Sequence, residues 1–150
     1  MAAPGVSVSV TVDGTRAASA ALRRLLLAGT NMQRPLAEIG AALLTSTQRR
    51  FEDEAGPDGA AWEKSARAQA DGGATLRDTA RLYQSLTYMV HPRSVEVGTN
   101  TLYAAIHQLG GDAGRGHSVH LPARPYLGLD TEDEREIQAI VNDHLFGALR

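Results

Sequence analysis

Cysteine is absent from this chain of 150 residues. That excludes a disulfide-stapled fold, a thiolate metal site and a cysteine nucleophile. Aromatic residues make up 5%, too few for a surface that stacks the bases of a single nucleic-acid strand. An excess of either charge is also missing. Fifteen basic residues face 17 acidic ones, for a net charge of −2, whereas a broad nucleic-acid surface calls for a clearly basic domain. Long apolar runs are lacking too. The stretch at Leu25-Leu26-Leu27 is far below the roughly 20 residues of a membrane-spanning helix. The opening MAAPGVSVSV has no basic start followed by an apolar run, so no signal peptide is expected. A chain of this length suits one domain, residues 1–150, burying roughly 70% of its unfolded surface.

What is present is periodic. Val6, Val8, Val10 and Val12 alternate with Ser7, Ser9 and Thr11, which predicts a strand with one apolar face over 5–12. Arg16 to Ala28 reads as a helix stopped by Gly29. Thr30 and Gln33 have capping-box spacing. Leu36, Ile39, Leu43, Leu44, Thr47 and Phe51 then follow a 3.6-residue period, predicting a long central helix over 31–54. Its Ala37, Gly40 and Ala41 are small enough for close packing. Gly56-Pro57-Asp58-Gly59 forces a turn, and residues 63–74 read as a loop or weak helix. Leu76, Ala80, Tyr83 and Leu86 mark another helix. Tyr88–Val90 and Val95–Val97 read as a hairpin around His91-Pro92-Arg93-Ser94. Leu102 to Leu109 is a short helix, 110–118 a flexible glycine-rich loop, and Val119–Leu121 a third core strand. Thr131 and Glu134 predict a second capping box for an amphipathic C-terminal helix. The expected class is α+β: several helices, with a long central helix and a C-terminal one, on a small antiparallel sheet.

Residues able to do chemistry do not converge in the sequence. His117 and His120, with His107 and Asp112 nearby, are valid zinc ligands by type. They straddle a loop–strand junction, however, and solvated histidines are the favoured reading. Glu52, Asp53, Glu54, Asp58 and Glu63 sit in succession around a helix end, where a solvated face is expected rather than a magnesium site. Ser65, Ser85 and Ser118 lie in no G-x-S-x-G elbow, and GDAGRG (111–116) follows a helix, the wrong context for a phosphate cradle. The pairs Arg23-Arg24 and Arg49-Arg50 are read as surface charge, with DNA or an acidic partner as the functional alternative. No catalytic residue, cofactor or metal is assigned. The candidate anchors are Val6, Val8 and Val10 on an uncharged strand, Trp62, Arg115 in the glycine-rich loop, and Arg124 and Tyr126. Trp62 is either a core anchor folded back on Phe51 or an interface hot spot. Arg124, held extended by Pro125, is placed to pair with a carboxylate, and Tyr126 and Leu127 to pack under the final helix.

Four strings in one order, RFEDEAGPDGAAWEKS (50–65), LRDTARLYQSLTYMV (76–90), VEVGTNTLYAAIHQLGG (95–111) and LPARPYLGL (121–129), resemble the phage virion morphogenesis family. These are small tail-completion proteins of Mu-like and P2-like tailed phages. The resemblance runs from about Leu36 to the C-terminal helix. It implies a structural virion protein, not an enzyme, that completes the tail or joins it to the filled head. Such a protein would be assembled in the host cytoplasm and sit at the neck or tail end. The implied partners are further copies of itself in a ring, hexameric by analogy with tail tubes, and the connector and tail-tube proteins. Contact with phage DNA would be incidental, and none with membrane is expected. The alternatives are a non-virion factor for capsid or tail assembly and, from another class, a small metal-dependent hydrolase. An uncharged strand at 5–12 invites pairing with a neighbouring subunit's sheet. The 110–118 loop is a second candidate contact.

Overall fold

The second helix organises everything around it. In the computed structural model, which describes residues 5–11 and 20–149, β1 (Val6–Thr11) is followed by α1 (Ala20–Thr30) and α2 (Gln33–Asp53). Then come α3 (Ala66–Asp71), α4 (Arg81–Ser85), β2 (Thr87–Val90), β3 (Ser94–Thr99) and α5 (Ala104–Leu109). A small hairpin of β4 (Gly111–Ala113) and β5 (Val119–Leu121) precedes α6 (Thr131–Gly147). The architecture is α+β, as the alternation of periods predicts.

The main sheet is antiparallel with strand order β1-β3-β2. Its register stacks two rows across the strands: Val8, Val97 and Tyr88 in one, Val10, Val95 and Val90 in the other. Val95 and Val97 are fully withdrawn from water, and α2 lies over them. Leu36, Ile39, Leu43 and Phe51 of α2 are buried in the same cluster, against which Val6, Val8 and Tyr88 pack. Gly40 makes the close approach possible. A Cβ there would lie 2.4 Å from the Tyr88 ring and 2.8 Å from Val95. On its other flank α2 meets α6, whose Ile137, Ile140 and Val141 are half-buried against the core.

Several local expectations shift. Val12 and residues 16–19 lie outside the described residues, and Gly29 does not stop α1, which continues through it to Thr30. The Thr30 hydroxyl turns back to the Leu27 carbonyl at 2.8 Å, so it caps nothing, and Met32 stands at the N-cap of α2 without a side-chain bond. The helix expected from Leu76 is cut to five residues. Leu76 and Ala80 take φ of 62° and 55°, which a right-handed helix cannot contain. The second capping box sits one residue earlier than predicted. Asp130 is the N-cap, its side chain accepting from Asp133 N–H while the Asp133 carboxylate accepts from Asp130 N–H. Finally, β5 is not a core strand. It pairs with β4 in a separate two-stranded hairpin, and Val119 and His120, consecutive and so on opposite faces, are both exposed.

Candidate functional site

The glycine turn after α2 places Trp62. Glu54 closes the helix in the left-handed conformation. Gly56 N–H then bonds the Ala60 carbonyl, the Asp58 carboxylate takes Ala60 N–H, and Trp62 N–H reaches back to Glu54. The chain therefore reverses, and the Trp62 ring meets Phe51 edge-on, with centroids 5.4 Å apart. Trp62 is 7% exposed. Of its two readings the structure carries the core anchor.

The segment 121–129 threads beneath this turn. Trp62 Nε1 donates to the Pro125 carbonyl at 2.9 Å. Tyr126 is fully buried, its ring 5.1 Å from Phe51 and its hydroxyl bonded to the Ala104 carbonyl. Burial pushes that phenol far above its ordinary pKa. Tyr126 thus packs between α2 and α5 rather than under α6. The Gln108 side chain accepts from Tyr126 and Leu127 N–H and donates to the Leu127 carbonyl, fixing this stretch between β5 and α6. Arg124 is also buried, but its Nε donates to the Glu63 backbone carbonyl at 2.6 Å, not to the carboxylate expected. Three of the four strings that carry the resemblance therefore form one interlocked unit around Phe51, and Tyr83 from the remaining string completes the ring cluster at 5.9 Å.

Arg50 is the residue sequence reasoning placed wrongly. Read as half of a surface pair, it is 6% exposed. Its guanidinium donates to the carbonyls of Tyr126 and Gly128, to Ser46, and to the carboxylates of Asp130 and Asp133. One signal was available. Arg50 follows Leu43 and Thr47 at helical spacing, on the stripe that faces inward. Arg49, one residue earlier, is exposed as expected. Burial alone would raise the Asp130 pKa, but the Asp133 N–H and the Arg50 bond and charge outweigh it, and the net shift is downward.

Above this ion cluster lies an open groove of about 910 Å³ between α2, the 55–59 turn and the start of α6. Its floor includes Ala42, Leu43 and Ile137, and its rim carries Asp53, Asp58, Glu132 and Glu136. Arg49 and Arg50 line it as well, and acidic side chains outnumber basic ones. Arg23 and Arg24 are exposed on α1.

The remaining anchors lie on surfaces. Val6 and Val8 face the core from β1, and Val10 stands opposite Val95 in the ladder. Arg115 is exposed in the 3-10 turn (Arg115–His117) linking β4 and β5. The glycine-rich stretch, expected as a loop, thus forms a hairpin. Near it Leu102, Leu109 and Val119 are 76%, 73% and 51% exposed, while Leu27 and Phe146 are exposed on α1 and α6.

The groups considered for catalysis stay apart. His120 pairs with Asp112 at 2.8 Å on the exposed hairpin, and among the described residues no three His, Asp or Glu side chains gather as a metal site. Glu54 is occupied by Thr75 N–H, which holds its carboxyl below the usual range against an opposing effect of burial. Ser65 caps α3, and Ser85 bonds Thr99 and Thr101. Among the described residues no helix is long and apolar enough to cross a membrane.

Comparison with known proteins agrees with the pattern of strings. The model of the phage virion morphogenesis family matches residues 13–146. The chain is 34% identical over 137 residues to the Mu-like prophage FluMu G protein 2 of Haemophilus influenzae, covering 91% of this chain and 95% of that protein. It is 37% identical over 122 residues to the putative capsid assembly protein G of Escherichia phage Mu, covering 75% of this chain and 78% of that one. No solved structure matches.

Proposed function

Since the chain belongs to the phage virion morphogenesis family and so serves phage assembly, we propose that it completes the tail or joins it to the filled head. In this reading identical subunits form a ring between connector and tail tube, and the work is done by surface complementarity rather than by chemistry. Contact with the DNA passing through is incidental.

The observation that carries this reading is the open outer edge of β1. Among the described residues the strand has β3 on one side only, and its six residues, VSVSVT, include no charge and no proline. Natural edge strands are normally blunted by lysine, proline or a bulge, because bare N–H and C=O groups recruit further strands. An edge left unguarded suits a protein whose job is to be joined, by strand addition from a neighbouring subunit or tail protein. The exposed apolar side chains support the same reading. Leu102, Leu109 and Val119 lie on elements other than those bearing Leu27 and Phe146, as head-to-tail contacts between unlike patches require.

A second reading, a factor that guides assembly and then leaves, is favoured by the printed name of the phage Mu relative, which speaks of capsid assembly. Deleting the gene in the source phage and imaging lysates tests the first reading. Separate filled heads and finished or overlong tails are expected, and normal infectious particles would refute it. Mass spectrometry of purified virions separates the two, since the protein is retained in the particle only under the first.

A further inference from the structure

Away from β1 and the Arg50 cluster lies a second, smaller pocket of about 290 Å³. Leu76, Leu82 and Leu121 supply apolar walls, and the charged groups facing it are Arg67, Arg81, Arg124 and Asp78. Arg67 approaches Asp78 at 3.6 Å, so those two offset each other. Arg81 and Arg124 are left without a counter-charge among the described residues.

Arg124 is the unusual member. It is 4% exposed, yet among the described residues its side chain makes one hydrogen bond, from Nε to the Glu63 carbonyl. The two terminal nitrogens of the fork meet no acceptor. Those nitrogens are not among the sealed, unpartnered atoms of the described residues, so they keep contact with solvent and an incoming ligand can reach them. Beside it, His107 also lines the pocket, with its Nδ1 enclosed and unpartnered. The ring is held edge-on against Tyr103, centroids 5.9 Å apart. Burial, and then the Arg124 charge, keep this imidazole below its ordinary pKa. The free end of the Arg124 fork, an enclosed and unpartnered imidazole nitrogen, and two arginines without a carboxylate partner among the described residues share one small cavity.

We propose that this pocket is a socket for a carboxylate presented by a partner protein, with the Arg124 fork receiving it and Arg81 guiding it at the rim. A planar carboxylate matches the two terminal nitrogens of an arginine, and the leucine walls accommodate the methylene or apolar neighbour that carries it. A duplex phosphate backbone fits poorly, because the guanidinium is recessed behind apolar walls. The socket stands apart from the ring reading: it is a property of one subunit and is tested without assembly.

The test is an NMR titration of the full-length, ¹⁵N-labelled protein, following the Arg124 Nε–H and the His107 ring. Four probes separate the sources: N-acetyl-leucyl-aspartate amide for a side-chain carboxylate, N-acetyl-glycyl-leucine for a chain end, N-acetyl-leucyl-asparagine amide as the neutral control, and inorganic phosphate. Saturable shifts with one or both carboxylate probes, a raised His107 pKa in the complex and silence from the neutral control are expected. Arg81 is exposed, so Arg81→Glu leaves the fold intact, and it weakens the binding by about tenfold. Arg124→Lys, which keeps the charge but removes the fork, also weakens it. No saturable response to either carboxylate probe, an equal response to the neutral control, or undiminished binding by Arg81→Glu overturns the socket. A response to phosphate alone overturns it in favour of a nucleic-acid contact.

Discussion

Arg50 of α2 and Asp133 of α6 form an ion pair with side chains 7% and 5% exposed, tying the longest helix to the last one. Removing Asp133 leaves the buried Arg50 with only the more exposed Asp130 carboxylate opposite it. Asp133→Ala is therefore expected to cost about 3–5 kcal/mol, and the loss includes the capping box in which Asp133 also takes part. Urea unfolding read by circular dichroism measures it. A loss below about 1 kcal/mol would mean that the pair behaves like a surface bridge.

Stability also depends on pH. Asp130 and Glu54 are both held below the usual carboxylate range in the folded protein. A carboxylate with a depressed folded pKa contributes stability that is complete above its unfolded pKa and is lost as pH falls toward the folded one. His107, whose pKa burial lowers, acts in the same direction at higher pH, since the unfolded chain protonates there first. The urea midpoint should fall steadily between about pH 7 and about pH 3, less steeply in Asp130→Asn. An identical slope in that variant would remove Asp130 from the account.

Trp62, the single tryptophan, reports on the turn that follows α2. Trp62→Phe keeps an aromatic ring against Phe51 but leaves the Pro125 carbonyl without its donor, for an expected loss of about 1–3 kcal/mol. Trp62→Ala should lose about 3–5 kcal/mol. Equal losses in the two variants would show that the ring contact contributes little and the hydrogen bond carries the site.

Gly40 sits mid-helix, where alanine ordinarily adds up to about 1 kcal/mol of helix stability. Here the new methyl would fall 2.4 Å from Tyr88 and 2.8 Å from Val95. Gly40→Ala is expected to be destabilising by about 1–3 kcal/mol, because α2 must lift from the sheet. A stabilised variant in thermal unfolding would show that the Tyr88 ring simply swings aside.

The open edge of β1 yields a prediction about assembly. Ser7 and Ser9 are exposed and alternate with the inward valines. The double substitution Ser7→Lys, Ser9→Lys leaves the core face intact and gives the edge the charge natural edge strands carry. Light scattering should find the variant's oligomers dissociated under conditions in which the parent assembles. Unchanged assembly would place the subunit contact elsewhere.

The elements legible in the sequence were those with a long, unbroken period. The α2 stripe, the alternating valines of β1 and the hairpin around His91–Ser94 could be read because one face of each is apolar. What escaped depended on contacts between distant segments. Arg50 carries the composition of a surface residue, and its partners lie some 80 positions away. The two left-handed residues, Leu76 and Ala80, are not types that announce such geometry. The socket around Arg124 escaped for the same reason, since Arg67, Arg81 and His107 reach it from three separate elements. The strings near 50–65 and 121–129 were visible one by one, but not that they close on a single ring, Phe51.

β1 is first in the chain, yet its ladder partner β3 lies about ninety positions further on, while β2 and β3 meet across a turn of three residues. Closing a long loop is in general the slower event, so β1 is expected to dock onto the β2–β3 hairpin and α2 after these have met. Being at the margin, it can also leave by breaking one ladder and no other. Gly98 sets the tightness of that ladder, since a Cβ there would lie 2.1 Å from the Val6 carbonyl oxygen. A strand that arrives last and departs first is the segment two copies can trade, each supplying the other's third strand in the register it would have used at home.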